Sequence, residues 1–353
     1  MSIYRITLLV LISLALCETE AAAQIDALPK VRLLATGGTI AKGPNNRITA
    51  QELVSSVSSL PLYVQAETEQ FLNLQSSDLT TRDWISLSRR INQLFQNRKD
   101  LSGIVVSSGT DTLEEIAYFL NLTVKYQRPV VVVGAMRPPT AEGYDGSANL
   151  LQAFRVAADP NSIGRGVLVV LNSEINSARE VTKSHTQQLN AFQSRGSGIL
   201  GVTNFDRIVY YGQPSREHTV QTEFDISKTE TLPRVDTLLS YQDAPGDLIL
   251  AAVEAGAAGI VIAASGAGAM SPDQRTAINQ IMKKGIPVVI SSRTGGGHVA
   301  LGRNVAKSNS VQVNNPLRIA AEDLSPIKSR ILLMLALTVT KEGTAIQKIF
   351  EKY

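Results

Sequence analysis

Short, continuously apolar runs alternate with longer stretches of mixed character along most of this chain. Residues 31–35, 103–106, 130–133 and 166–171 are each too brief for a helix and too uniformly apolar for a strand with one wet face, so they predict strands buried on both faces of a parallel sheet. The run Val130-Val131-Val132-Val133 is the clearest of these, because β-branched side chains are poor helix material and fit a pleated surface. Residues 69–74 predict a further strand. Helical patterns fall between: residues 113–120 follow the second run, Asp145-Gly146 opens another, and Thr49-Ala50-Gln51-Glu52 has the spacing of a capping box. Strands alternating with helices predict a mainly parallel sheet with helices on both faces.

Past residue 211 the chain turns polar and irregular, and the pattern then resumes. Residues 248–253, 259–264 and 287–291 read as strands, alternating with helices such as 272–284. The fold class is therefore α/β: a larger N-terminal domain at 24–211, a linker at 212–232, and a smaller α/β domain at 233–353. No internal repeat or low-complexity tract interrupts this plan.

The first residues stand apart. Arg5 precedes an apolar run from Ile6 to Cys17, and Ala21-Ala22-Ala23 then offers small residues, which together predict a secretory signal peptide over 1–23. The run is well short of the roughly 20 residues a membrane span needs. A lipoprotein site at Leu14-Ala15-Leu16-Cys17 fits less well, because Leu16 is bulky where a small residue is wanted. Cleavage after Ala23 predicts a periplasmic or secreted protein, not membrane-bound, and removes Cys17, the one cysteine. Stability must then come from packing and association, not disulfides. With 353 residues, 44% of them hydrophobic and 18% charged, the chain can bury a sizeable core. Its net charge of +3 is too small and too scattered to point to nucleic acid.

Two of the predicted strands end alike. Ala35-Thr36-Gly37-Gly38-Thr39-Ile40 and Ser107-Ser108-Gly109-Thr110-Asp111-Thr112 both break at glycine beside threonine. Glycine permits positive φ and close approach of another backbone, and the carboxyl edge of an open α/β sheet is where ligands bind. Two hydroxyls and the Asp111 carboxylate in one crevice make a candidate site for nucleophilic chemistry. His185, His218 and His298 are scattered, giving no metal-ligand spacing, and no cofactor is expected. The clusters at 265–269 and 294–297 lack the dinucleotide fingerprint and a phosphate-loop lysine.

These two turns resemble the signatures of the bacterial type II L-asparaginase and glutaminase-asparaginase family. The similarity continues through Val133-Gly134-Ala135-Met136-Arg137-Pro138, Glu180-Val181-Thr182-Lys183 and Arg330-Ile331-Leu332-Leu333-Met334-Leu335. The resemblance implies hydrolysis of the side-chain amide of asparagine, with glutamine as second substrate, through an acyl-enzyme. The residues themselves leave open which threonine attacks; the resemblance assigns attack to Thr39, with Thr110 and Lys183 relaying its proton and Asp111 pairing with the substrate ammonium. It also implies that Ser76 holds the substrate carboxylate, that Gly38, Gly109 and the Ala135 backbone line the site, and that Ser77 stands where glutamine or glutamate is common. A homotetramer built as a dimer of dimers is implied as well. The chain departs from the family in having a shorter loop after Thr39 without a tyrosine, in placing Ala267 near an expected asparagine, and in offering no acid beside His298. For Ser76, Ser77 and Asp78, capping of the helix around Trp84 is the plainer reading. Two rivals remain at this stage: a secreted amino-acid-binding protein without turnover, and an amidase of larger amide substrates.

Overall fold

A computed structural model describes residues 27–44, 46–300 and 315–353. The segment 1–23 read as a signal peptide lies outside them.

The N-terminal sheet has eight strands. These are β1 (Lys30–Gly37), β2 (Gln65–Leu74), β3 (Leu101–Ser107), β4 (Val130–Val133), β5 (Val167–Leu171) and β6 (Glu174–Ser177), with β9 (Gly201–Thr203) and β10 (Ile208–Tyr210); a separate hairpin pairs β7 (Val181–Lys183) with β8 (Phe192–Ser194). The order is β10-β9-β6-β5-β4-β3-β1-β2. From β5 to β2 every pairing is parallel, whereas β6, β9 and β10 extend the sheet antiparallel. The four valines of β4 are buried, in register with Ile104–Ser107 on one side and Val167–Val170 on the other. Helices cover both faces: α1 (Ala50–Ser55), α2 (Thr81–Asn97), α3 (Leu113–Thr123) and α4 (Gly146–Ala158). Two hydrophobic clusters result, one on each face.

The C-terminal sheet is all parallel, β11 (Val235–Leu239), β12 (Gly259–Ala264), β13 (Val288–Ser292) and β14 (Arg318–Ala320), in that order. With it go α5 (Asp247–Glu254), α6 (Pro272–Lys283), α7 (Pro326–Val339) and α8 (Gly343–Lys352). Residues 248–253, expected as a strand, lie in α5. A short run of Leu, Ile, Ala and Val carries no period that separates a buried strand from a buried helix. In this sheet the pattern missed the edge strands β11 and β14, and in the N-terminal domain it missed the short strands β6 to β10.

A second correction concerns α2. Its cap is not the Ser76–Asp78 segment, which forms a separate 3-10 turn, but Thr80, whose Oγ1 accepts from Asp83 N while Asp83 Oδ2 accepts from Thr80 N at 2.8 Å. Thr80→Ala should therefore destabilise the protein by about 1 kcal/mol, whereas Ser77→Ala, at an exposed position outside the helix, should leave the urea midpoint unchanged.

Candidate functional site

The carboxyl ends of β1 and β3 meet. Gly37 and Gly38 take φ of 109° and 84°, conformations that a side chain would strain. A β-carbon at Gly38 would fall 2.1 Å from Gly109 N, and one at Gly109 would fall 2.7 Å from Ser76 Oγ. The glycines therefore let two turns and the Ser76 segment touch, and Thr112 Oγ1 closes the junction by donating to Ser76 O at 2.9 Å.

At this junction lies a cavity of about 380 Å³, lined among others by Gly38, Thr39, Ser76, Gly109, Thr110 and Asp111. Its volume is in the range of small-molecule sites. Lys42 and Arg47, paired across the tight loop that follows Thr39, add two cations to its wall. Thr39 is half-buried, and Thr110 is 5% exposed. Lys183, at the end of β7, donates from Nζ to Thr110 Oγ1 at 3.0 Å and to Asp111 Oδ1 at 2.6 Å. Thus the hydroxyls, the ammonium and the carboxylate expected from the sequence occupy one place.

Other expected residues stand differently. Ser77 is exposed, donates only to its neighbour Asp78 at 3.4 Å, and does not line the cavity. Ala135 is fully buried behind it, although the adjoining Gly134 abuts Thr110: a β-carbon there would lie 3.0 Å from Thr110 Cγ2. The N–H of Gly38 is taken by Leu74 O at 2.9 Å, so it is not free for an oxyanion. Donors at these turns must come from the amides that follow.

Behind Lys183 is a layer that sequence reading missed. Glu114, buried on α3, accepts from Thr182 Oγ1 at 2.9 Å and from Lys183 N at 3.2 Å, which fixes the backbone of β7. Lys328 of α7 is 2% exposed and donates from Nζ to Arg179 O at 2.8 Å and to Val181 O. Its ammonium sits 3.8 Å from Glu114 Oε2. Burial pulls the Lys328 amine down to about 8, against the opposing pull of Glu114. The C-terminal domain thereby reaches into the strand that carries Lys183. No sequence motif announces such a contact, since the partners meet only when α7 packs on α3.

His298 is not without an acid nearby in space: Glu322 Oε2 lies 2.7 Å from its Nε2.

Comparison with known proteins agrees with this architecture. Residues 30–216 match the family model described as Asparaginase, N-terminal, and residues 234–350 match the Glutaminase/Asparaginase C-terminal domain. L-asparaginase 2 of Bacillus subtilis is 41% identical over 95% of this chain and 90% of its own length. A probable periplasmic L-asparaginase of Haemophilus influenzae is 37% identical over 92% of this chain and 93% of its own. Among solved structures, that of a probable cytoplasmic L-asparaginase from Campylobacter jejuni superposes with a TM-score of 0.86 at 40% identity, covering 92% of this chain and 99% of that one.

Proposed function

The chain belongs to the asparaginase/glutaminase family, and from that premise we propose that it hydrolyses the side-chain amides of asparagine and glutamine through a threonyl acyl-enzyme formed on Thr39. The observation that carries this reading is the contact of Lys183 Nζ with Thr110 Oγ1, on the wall of the cavity that Thr39 also lines.

Thr39 Oγ attacks the amide carbon of the substrate. Its proton passes to the Thr110 hydroxyl, which hands its own on to Lys183 Nζ once that nitrogen has given up a proton, because a threonine hydroxyl is a poor nucleophile unless a base takes the proton. The negative charge that develops on the carbonyl oxygen is met by backbone N–H groups of the two turns beyond Gly38. Collapse breaks the C–N bond, the proton returns to the leaving nitrogen, and ammonia departs. Water, activated by the same relay, then releases aspartate or glutamate and restores Thr39. Ser76 receives the substrate α-carboxylate and Asp111 its ammonium; the backbone at Ala135, just past β4, is the family's place for the amide nitrogen, and reaching it requires the cavity wall to open there.

Export to the periplasm or medium, with assembly as a homotetramer, belongs to the same proposal. The apolar run at 6–17 supports the first, and resemblance to the family supports the second.

Incubation of the purified protein with asparagine or glutamine should release ammonia catalytically, in equal amount to the aspartate or glutamate formed. Stoichiometric binding with no ammonia above background would overturn the proposal and leave a binding protein.

A further inference from the structure

The 3-10 turn that presents Thr39, residues Thr39–Ala41, has no side-chain cap at its start. Most of its carbonyls are nevertheless satisfied by nearby backbone. Gly38 O accepts from Ala41 N at 3.2 Å, Thr39 O from Lys42 N at 3.1 Å, and Ala41 O from Ile48 N at 2.8 Å. Ile40 O is the exception: its partner is the Tyr144 hydroxyl, at 3.0 Å, 104 residues away in the chain. Ile40 is fully buried, so its carbonyl without that donor would carry a desolvation cost of about 1–3 kcal/mol.

Tyr144 is itself held. It belongs to the loop that leaves β4 after Val133, passes Ala135 and enters α4. Asp145 pins that loop by accepting from Met136 N and Arg137 N, both at 3.0 Å, and from Asn149 Nδ2 at 2.9 Å. Gly146 gives the phenol its place: a β-carbon at that position would lie 2.1 Å from the Tyr144 oxygen. Burial lifts the Tyr144 hydroxyl to about 12, so it remains a donor across the working range of pH.

We propose that Tyr144 is a positioning residue for the reaction: by holding Ile40 O it fixes the turn bearing Thr39 against the loop that follows β4, and so sets the nucleophile relative to the amide. This rests on the reading of Thr39 as the nucleophile. Tyr144 does not line the cavity, so its effect falls on the placement of the attacking oxygen and leaves binding alone. A misplacement on the scale of 1 Å costs up to about a hundredfold in rate.

The test compares Tyr144→Phe with the wild type in single-turnover ammonia release from asparagine, in aspartate affinity and in thermal unfolding. Tyr144→Phe keeps the ring and its packing but loses the donor. The acylation rate should fall roughly ten- to a hundredfold, with aspartate affinity unchanged within about threefold. Gly146→Ala keeps the tyrosine but evicts its hydroxyl, and should slow acylation comparably. The double variant should be no slower than the slower single one, since both remove one interaction. Acylation in Tyr144→Phe within twofold of wild type, or losses that multiply in the double variant, would overturn the assignment. If Thr39→Ala is inactive in the same assay while Tyr144→Phe is not impaired, the positioning role alone fails; if Thr39→Ala still turns over, the nucleophile assignment fails.

Discussion

Thr39→Ala is expected to lower kcat for asparagine by at least about 10³-fold, because it removes the atom proposed to form the covalent intermediate. Its backbone cost should be small. Thr39 is half-buried, it precedes Ile40 and Ala41, which anchor the turn, and alanine accepts the same conformation. The folded protein should therefore still bind aspartate, with a thermal midpoint close to wild type. Thr110→Val separates the two hydroxyls. That substitution keeps the volume of Thr110 beside Gly134 but breaks the contact with Lys183 Nζ. If Thr39 attacks, mass spectrometry of rapidly quenched Thr110→Val should place any trapped acyl group at residue 39, and Thr39→Ala should trap none. An acyl group found at Thr110 in Thr39→Ala would reverse the roles.

The elements most legible in the sequence were those whose environment is uniform. The four valines of β4 are buried against neighbours on both sides, so a continuous apolar run was sufficient to find them. The box at Thr49 was equally plain, because both of its hydrogen bonds are local. The glycine-threonine turns were visible because only glycine permits backbones to touch as Gly38 and Gly109 do. Lys183 was a different matter. A lysine in a polar segment is usually a solvated one, and resemblance alone set it apart. What escaped entirely is long-range and polar. Tyr144 bonds the turn that bears Thr39, Lys328 enters the N-terminal domain beneath β7, and Glu322 approaches His298, yet none of these pairs is close in sequence or periodic. Such contacts arise from packing of whole elements, and hydrophobic pattern does not encode them. The misreading of 248–253 has the same root, since its length and composition suit either element until α6 packs beside it.

Lys183→Met should reduce kcat for asparagine by about 10³-fold while leaving aspartate binding measurable, since removal of a positioned general base typically costs 10²–10⁴. Stability does not explain such a loss. The pair with Asp111 is short, at 2.6 Å, but the Asp111 side chain is 75% exposed, and ion pairs open to water contribute at most about 1 kcal/mol. Methionine occupies similar space, and β7 itself is held through backbone groups by Glu114 and Lys328. Lys183→Arg then distinguishes proton transfer from charge. Arginine keeps the cation beside Asp111, yet its guanidinium does not deprotonate at any working pH and cannot accept the Thr110 proton. Both variants should be inactive to a similar degree, with thermal midpoints within a few degrees of wild type. Substantial turnover in Lys183→Arg would mean that the site needs a positive charge and not a base, and near-normal activity in Lys183→Met would remove the lysine from the mechanism.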